Sequence, residues 1–186
     1  AQTYSSCVEQ PVQRLFFALA ALLDLYVYGG DAKDAYAHSP PPDRPTYVLI
    51  DDAYADWYRY RFGTDVDRKK VLPVQHALQG HPESGRLWES HISRILTLPD
   101  LGFQPTTHDR SIYRGSFRGH TLFLLRQVDD FALAAPSEAI AKEVFALIGN
   151  HLQLPSETTS PFTYLGLLHD FNGVDVAQYS DRTVLS

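Results

Sequence analysis

Apolar and polar positions divide this chain into a series of elements with different periods. Residues 11–25, PVQRLFFALAALLDL, read as a helix, with Pro11 suited to the first turn and apolar side chains on more than one face, which predicts a helix buried under a sheet. Residues 26–32, YVYGGDA, switch to strand formers and then to Gly29 and Gly30. That predicts a strand whose end lies close to another backbone or a ligand, with Asp31 at its terminus. SPPPDRP, residues 39–45, holds neither helix nor ladder and reads as a loop. The aromatic stretch 47–60 is compatible with a short strand followed by a helix or with one longer helix, and RFGTDVDRKK after it is a polar connector. Pro82 opens a second helix in which Leu87, Trp88, Ile92, Ile95 and Leu96 recur at helical spacing.

SIYRG and the apolar run 122–135 follow as strands, joined by a polar turn at Ser116 to Gly119. Ser137 suits the cap of a third helix, with Ile140, Val144, Leu147, Ile148 and Leu152 as its inward stripe and Gly149-Asn150 as its terminating turn. The dipeptide Asn172-Gly173 between YLGLLHDF and VDVAQYS is the strongest short hairpin signal in the chain. Helix, strand, helix, hairpin, helix, hairpin is the order of an α+β fold in which an antiparallel sheet is packed on helices.

One position breaks the hydrophobic logic. Asp129 and Asp130 stand side by side in LFLLRQVDDFALAA, inside what otherwise reads as a buried hairpin. Neighbouring carboxylates there repel each other and lose hydration, costs that a divalent cation or a turn open to a cleft relieves. Ordinary hairpin turns carry Gly or Asn at one of the two positions, and this one carries neither. Asp31 is a second acidic site at a strand end. If the two strands are neighbours, three carboxylates meet, and hard oxygen ligands of that kind suit magnesium, which keeps waters and accepts phosphate oxygens.

Composition narrows the setting. A length of 186 residues, with 44% hydrophobic and 12% aromatic residues, suits one globular domain, residues 1–186. A net charge of -6 excludes a protein that grips nucleic acid over its whole surface. A single Cys7, no secretory leader and no membrane-length apolar run predict a reducing, intracellular setting with no membrane partner. The chain has no Met and opens abruptly on AQTYSSC, from which a fragment of a longer polyprotein is expected.

Five ordered segments then carry a resemblance: DAKDAYAH, ALQGHPESGRLW, LGFQPTTHDRSIY, LRQVDDFALAA and PFTYLGLL. In order and rough spacing they resemble the palm motifs of reverse transcriptases, specifically those of the copia type of long-terminal-repeat retrotransposon. The resemblance implies an RNA-directed DNA polymerase palm with incomplete fingers and no thumb, weakly active or inactive in isolation. It implies nucleotidyl transfer from dNTPs to a primer 3′-hydroxyl on an RNA or DNA template, with two Mg2+ ions, or Mn2+ in their place. By the same resemblance Asp31 and Asp129 are metal ligands, with Asp130 the auxiliary carboxylate of the doublet. Asp34 and Ala35 offer backbone amides to the triphosphate, and Tyr36 is the ring that excludes a ribose 2′-hydroxyl. Gln79 and Gly80 lie on the incoming nucleotide and template, and Tyr164, Leu165 and Gly166 position the primer. The rest of the polyprotein, with fingers, thumb, ribonuclease H and DNA integration functions, is the expected partner.

The chain departs from that pattern at Gln127, where the copia doublet usually has a Tyr, and in GNHLQLPSETT, which lacks the usual basic residue. Simpler readings compete. Asp31 alone is a common strand-end turn residue, and Tyr36 and Trp88 are by type core aromatics. Asp51-Asp52 and the Asp65/Asp67 pair read as solvated surface. The histidines form no zinc pattern, QGHPESG lacks the ending of a phosphate loop, and Cys7 is a poor nucleophile. A non-catalytic palm remnant or interaction module is the rival function, and a palm-fold nucleotidyl cyclase a third.

Overall fold

The computed structural model describes residues 8–179 and 182–186; Cys7 lies outside the described residues. In chain order the elements are α1 (Gln10–Leu22), β1 (Tyr26–Ala32), a 3-10 turn (Ala35–His38), β2 (Tyr47–Leu49), α2 (Asp52–Phe62), β3 (Val71–Pro73), α3 (Ser84–Leu96), β4 (Gln104–Pro105), β5 (Ile112–Phe117), β6 (His120–Gln127), β7 (Asp130–Ala135), α4 (Glu138–Leu152), β8 (Phe162–Leu167), β9 (Asp170–Phe171), β10 (Val174–Gln178) and β11 (Thr183–Leu185). The architecture is α+β. Its centre is a six-stranded antiparallel sheet in the order β4-β5-β6-β7-β1-β8.

Both faces of that sheet are covered. Trp88, Ile92, Ile95 and Leu96 of α3 and Val144, Phe145, Ile148 and Leu152 of α4 close over one face, onto Leu124, Phe131 and Leu133. Phe16, Phe17 and Ala20 of α1, with Phe171 and Val176 from the last hairpin, cover the other, onto Val27, Ala132 and Ala134. Two-sided burial explains why β6 and β7 read as nearly continuous apolar runs rather than alternating ones. The stretch 47–60 resolves into a strand followed by a helix: β2 pairs with β3, and α2 starts where the Asp51 carboxylate accepts the Tyr54 N–H at 2.8 Å. Asp52 pairs with Arg68 and Asp65 with Arg59, all at the surface.

Three expectations are corrected. Only one face of α1 is buried, for Leu15 and Leu22 are 62% and 79% exposed. Gly149-Asn150 does not end α4, which runs on to Leu152. Gly149 is there because Phe162 and Ser160 press on the helix: a Cβ would lie 3.1 Å from the Phe162 Cβ and collide with the Ser160 hydroxyl. Gly29 and Gly30 make room for side chains rather than for backbone or ligand. A Cβ on Gly29 would lie 2.7 Å from Leu168 Cδ1, and one on Gly30 would run into the Phe162 ring.

Candidate functional site

The site grows from the connection between β6 and β7. Gln127 and Asp130 pair across it, leaving Val128 and Asp129 as the loop. Val128 has φ of 55°. A positive φ at the first loop residue alone is the pattern of a II′ turn, whose first place normally belongs to Gly. For a β-branched residue this backbone costs about 1–3 kcal/mol and persists only where surrounding contacts impose it. Two hydrogen bonds reach this residue. The Val128 carbonyl accepts the indole N–H of Trp88 at 2.7 Å and an Arg126 guanidinium N–H at 3.2 Å.

β1 lies directly beside β7 in the sheet. Asp31 stands opposite Asp130, and on its other side opposite Thr163 of β8. Directly opposite residues of an antiparallel pair share a face, so Asp31 and Asp130 project together, on the side of Val27, Ala132 and Ala134. The Ala32 N–H donates to the Asp129 carbonyl at 2.9 Å, stitching the end of β1 to the turn. Burial, with the Asp129 charge second and Lys33 opposing, raises the Asp31 carboxyl above the ordinary carboxylate range. Burial also raises the Asp130 carboxyl, followed by the charges of Asp129, Asp31 and Asp170. The two acids and the doublet therefore form one crowded, repulsive neighbourhood. Convergence on a single point is not reached: among the described residues no three His, Cys, Asp or Glu side chains are set closely enough to hold a metal ion.

Asp129 and Asp130 face different spaces. Asp129 lines a cleft of about 330 Å³ with Asp34, Ala35, Tyr36, Ala37, Ala77, Leu78, Gln79 and Val128. Segments far apart in sequence meet there. Asp34 has φ of 49° at the head of the 3-10 turn and its carbonyl accepts the Ala37 N–H at 2.7 Å. Ala35 is buried, and the half-buried Tyr36 packs at the edge of the core with the rest of its surface on the cleft. Gly80, with φ of 87°, turns the chain just behind Gln79 and is not itself part of the lining. Asp130 instead borders a smaller space of about 160 Å³ with Leu165, His169 and Asp170.

The β8 residues stand one strand further on. Tyr164 pairs with Gly30, and Gly166, at φ of 85°, faces Gly29 across a break in the β1–β8 register. The Tyr164 hydroxyl donates to Glu138 at 3.2 Å, and the Lys142 ammonium lies 5.3 Å from the centre of its ring. Burial and the neighbouring Glu138 carboxylate push this phenol up to about 12. Leu165 is 57% exposed.

Sequence reasoning missed several of these residues. Arg126 was visible as a lone cation in an apolar run, but nothing in the order of residues says that it turns inward. His38 is 6% exposed, and its ring nitrogens face two acceptors, Nδ1 the Asp34 carbonyl at 3.1 Å and Nε2 the Glu157 carboxylate at 2.8 Å, contacts that fix the 3-10 turn beside Tyr36. Lys142, on α4, supplies a cation near Tyr164 that the GNHLQLPSETT segment lacks. The role of Gln127 was also not legible: its side-chain oxygen accepts the Val8 N–H and so ties the start of the described chain to the turn.

Compared with family models, with curated proteins and with solved structures, the chain matches none. Among the described residues no helix is long and apolar enough to cross a membrane. An acidic turn beside a strand-end carboxylate, with Asp129 on a cleft, suits a cation and a phosphorylated ligand better than it suits a nucleophile or a redox group.

Proposed function

We propose that this chain is the palm of an RNA-directed DNA polymerase of the copia type, adding deoxynucleotides to a primer 3′-hydroxyl. The observation that supports the reading is the pairing of β1 with β7, which sets Asp31 opposite Asp130 and ties the next residue, Ala32, to the Asp129 carbonyl, although the two segments lie far apart in sequence. Magnesium is held in such enzymes by one or two carboxylates, the remaining ligands being water and substrate phosphate, so Asp31 and Asp129 suffice without a third protein ligand. Bound there, the ions supply a lowered pKa for the attacking hydroxyl and charge stabilisation for the phosphoryl transition state.

The chain's own residues orient the reactants. On this reading the backbone at Asp34 and Ala35 meets the triphosphate, and Gln79, in the lining of the same cleft, meets base and template. Tyr36 fills the space a 2′-hydroxyl would need. Tyr164, Leu165 and Gly166 hold the primer end from β8. Burial and then the like charge of their neighbours raise the Asp31 and Asp130 carboxyls, and a bound cation would relieve that repulsion.

A second reading is a palm kept as a non-catalytic module, favoured by the lack of a closely grouped metal set among the described residues. Primer extension with Mg2+, run on this chain and on longer stretches of the protein that contain it, separates the two. Metal-dependent synthesis lost by about a thousandfold in Asp129→Asn supports the polymerase. Synthesis by none of them, with no thermal stabilisation by Mn2+, supports the module. For the polymerase, Mn2+ at tenfold over its dissociation constant stabilises the fold by about 1.4 kcal/mol, or roughly 3 °C.

A further inference from the structure

Arg126 is the least expected residue of the molecule. Its side chain is 0% exposed, it carries a permanent charge, and it interrupts the apolar strand β6 two residues before the turn. Its guanidinium makes an ion pair with Glu89 of α3 and donates to the Val128 carbonyl, while its Nε finds no acceptor among the described residues. A fully buried, incompletely satisfied cation destabilises a core relative to an apolar residue of similar volume. Glu89 is the chain neighbour of Trp88, whose indole donates to the same Val128 oxygen. Two donors from different elements thus converge on one carbonyl, and that carbonyl belongs to the one residue of the turn whose backbone is strained. The sequence offers no Gly or Asn to relax it.

We propose that Arg126, Glu89 and Trp88 form a buried polar clamp whose work is to hold the Val128 turn in its left-handed form and so keep Asp129 turned into the cleft. They are positioning residues: none of them lines the cleft, and they act through the Val128 carbonyl. The consequence for metal binding rests on the reading of the cleft given above, whereas the clamp itself is a statement about the turn.

The two are separated by measuring both on the same proteins. Trp88→Phe removes one donor with little change of shape. Arg126→Met with Glu89→Gln removes the ion pair without burying a lone charge. Each is made with Val128 and with Val128→Gly, since glycine adopts the turn without restraint. Amide hydrogen exchange at Asp129 and Asp130, Mn2+ affinity by titration and the thermal midpoint are read for each.

With Val128 in place, exchange at the two amides quickens by about tenfold and Mn2+ binding weakens by a similar factor, as for the loss of one hydrogen bond. Val128→Gly returns both to within about threefold of the parent while any fall in the midpoint remains. Equal losses with and without Val128→Gly overturn the clamp and leave a general packing role. Unchanged exchange in both clamp variants overturns it too. If the parent binds no Mn2+, the metal reading of the cleft fails, and the exchange rates alone decide the clamp.

Discussion

Asp31 and Asp130 are held in a place that suits their ionised forms badly. Burial, and after it the neighbouring acidic charge, raises both carboxyls, so the folded state binds protons more tightly than the unfolded one. A raised folded value makes the contribution to stability full at pH below the unfolded carboxylate range and lost as pH climbs through the folded one. At pH 7 the charges therefore oppose folding. Asp31→Asn is expected to raise the thermal midpoint at pH 7 by about 2 °C without added metal, with the gain fading toward pH 3. A midpoint that falls in Asp31→Asn at pH 7 would show that its carboxylate is stabilising instead. These residues were legible because charge in an apolar frame is conspicuous. Arg126 was equally conspicuous and equally displaced, but its meaning lay in a backbone angle at Val128, which residue types do not encode.

Among the elements, α4 shows packing overriding propensity. Ala in place of an interior helical glycine normally stabilises by about 1 kcal/mol. Gly149→Ala is expected to destabilise by about that amount, since the methyl would press on Ser160 and on Phe162. Gly149→Ala with Ser160→Ala is expected to regain most of the loss in urea denaturation, and failure to regain it would point to Phe162 as the limiting contact. The helices α1, α3 and α4, the strand β1 and the Asn172-Gly173 hairpin were readable from period and turn chemistry, because each is decided within a short window, whereas α2 stayed open. The end of α4 was not. Gly149 looks like a stop signal locally, and only β8, arriving later in the chain, reveals why a side chain is excluded there.

At the level of the molecule, stability is unevenly spread. The central sheet is covered on both faces, whereas α2 buries only Ala55 and leaves Trp57, Tyr60 and Phe62 largely in solvent. Amides of α2 and of the β2–β3 pair are expected to exchange hydrogen at least a hundredfold faster than those of β6 and β7, opening without global unfolding. Equal protection would mean that α2 is tied to the body by contacts beyond those described. The sheet as a layer could be inferred from the strand signals; its order could not, since β1 sits between β7 and β8 and nothing in its sequence names them. That order also has a cost at birth. On the ribosome, β1 emerges about a hundred residues before β7 and β8, and at about 5–20 residues per second its edges wait several seconds or more for the strands that flank it. Until then the glycines that later admit Phe162 and Leu168 leave a smooth, sticky ribbon, and a nascent chain of this topology needs shelter from its neighbours before its acids can meet.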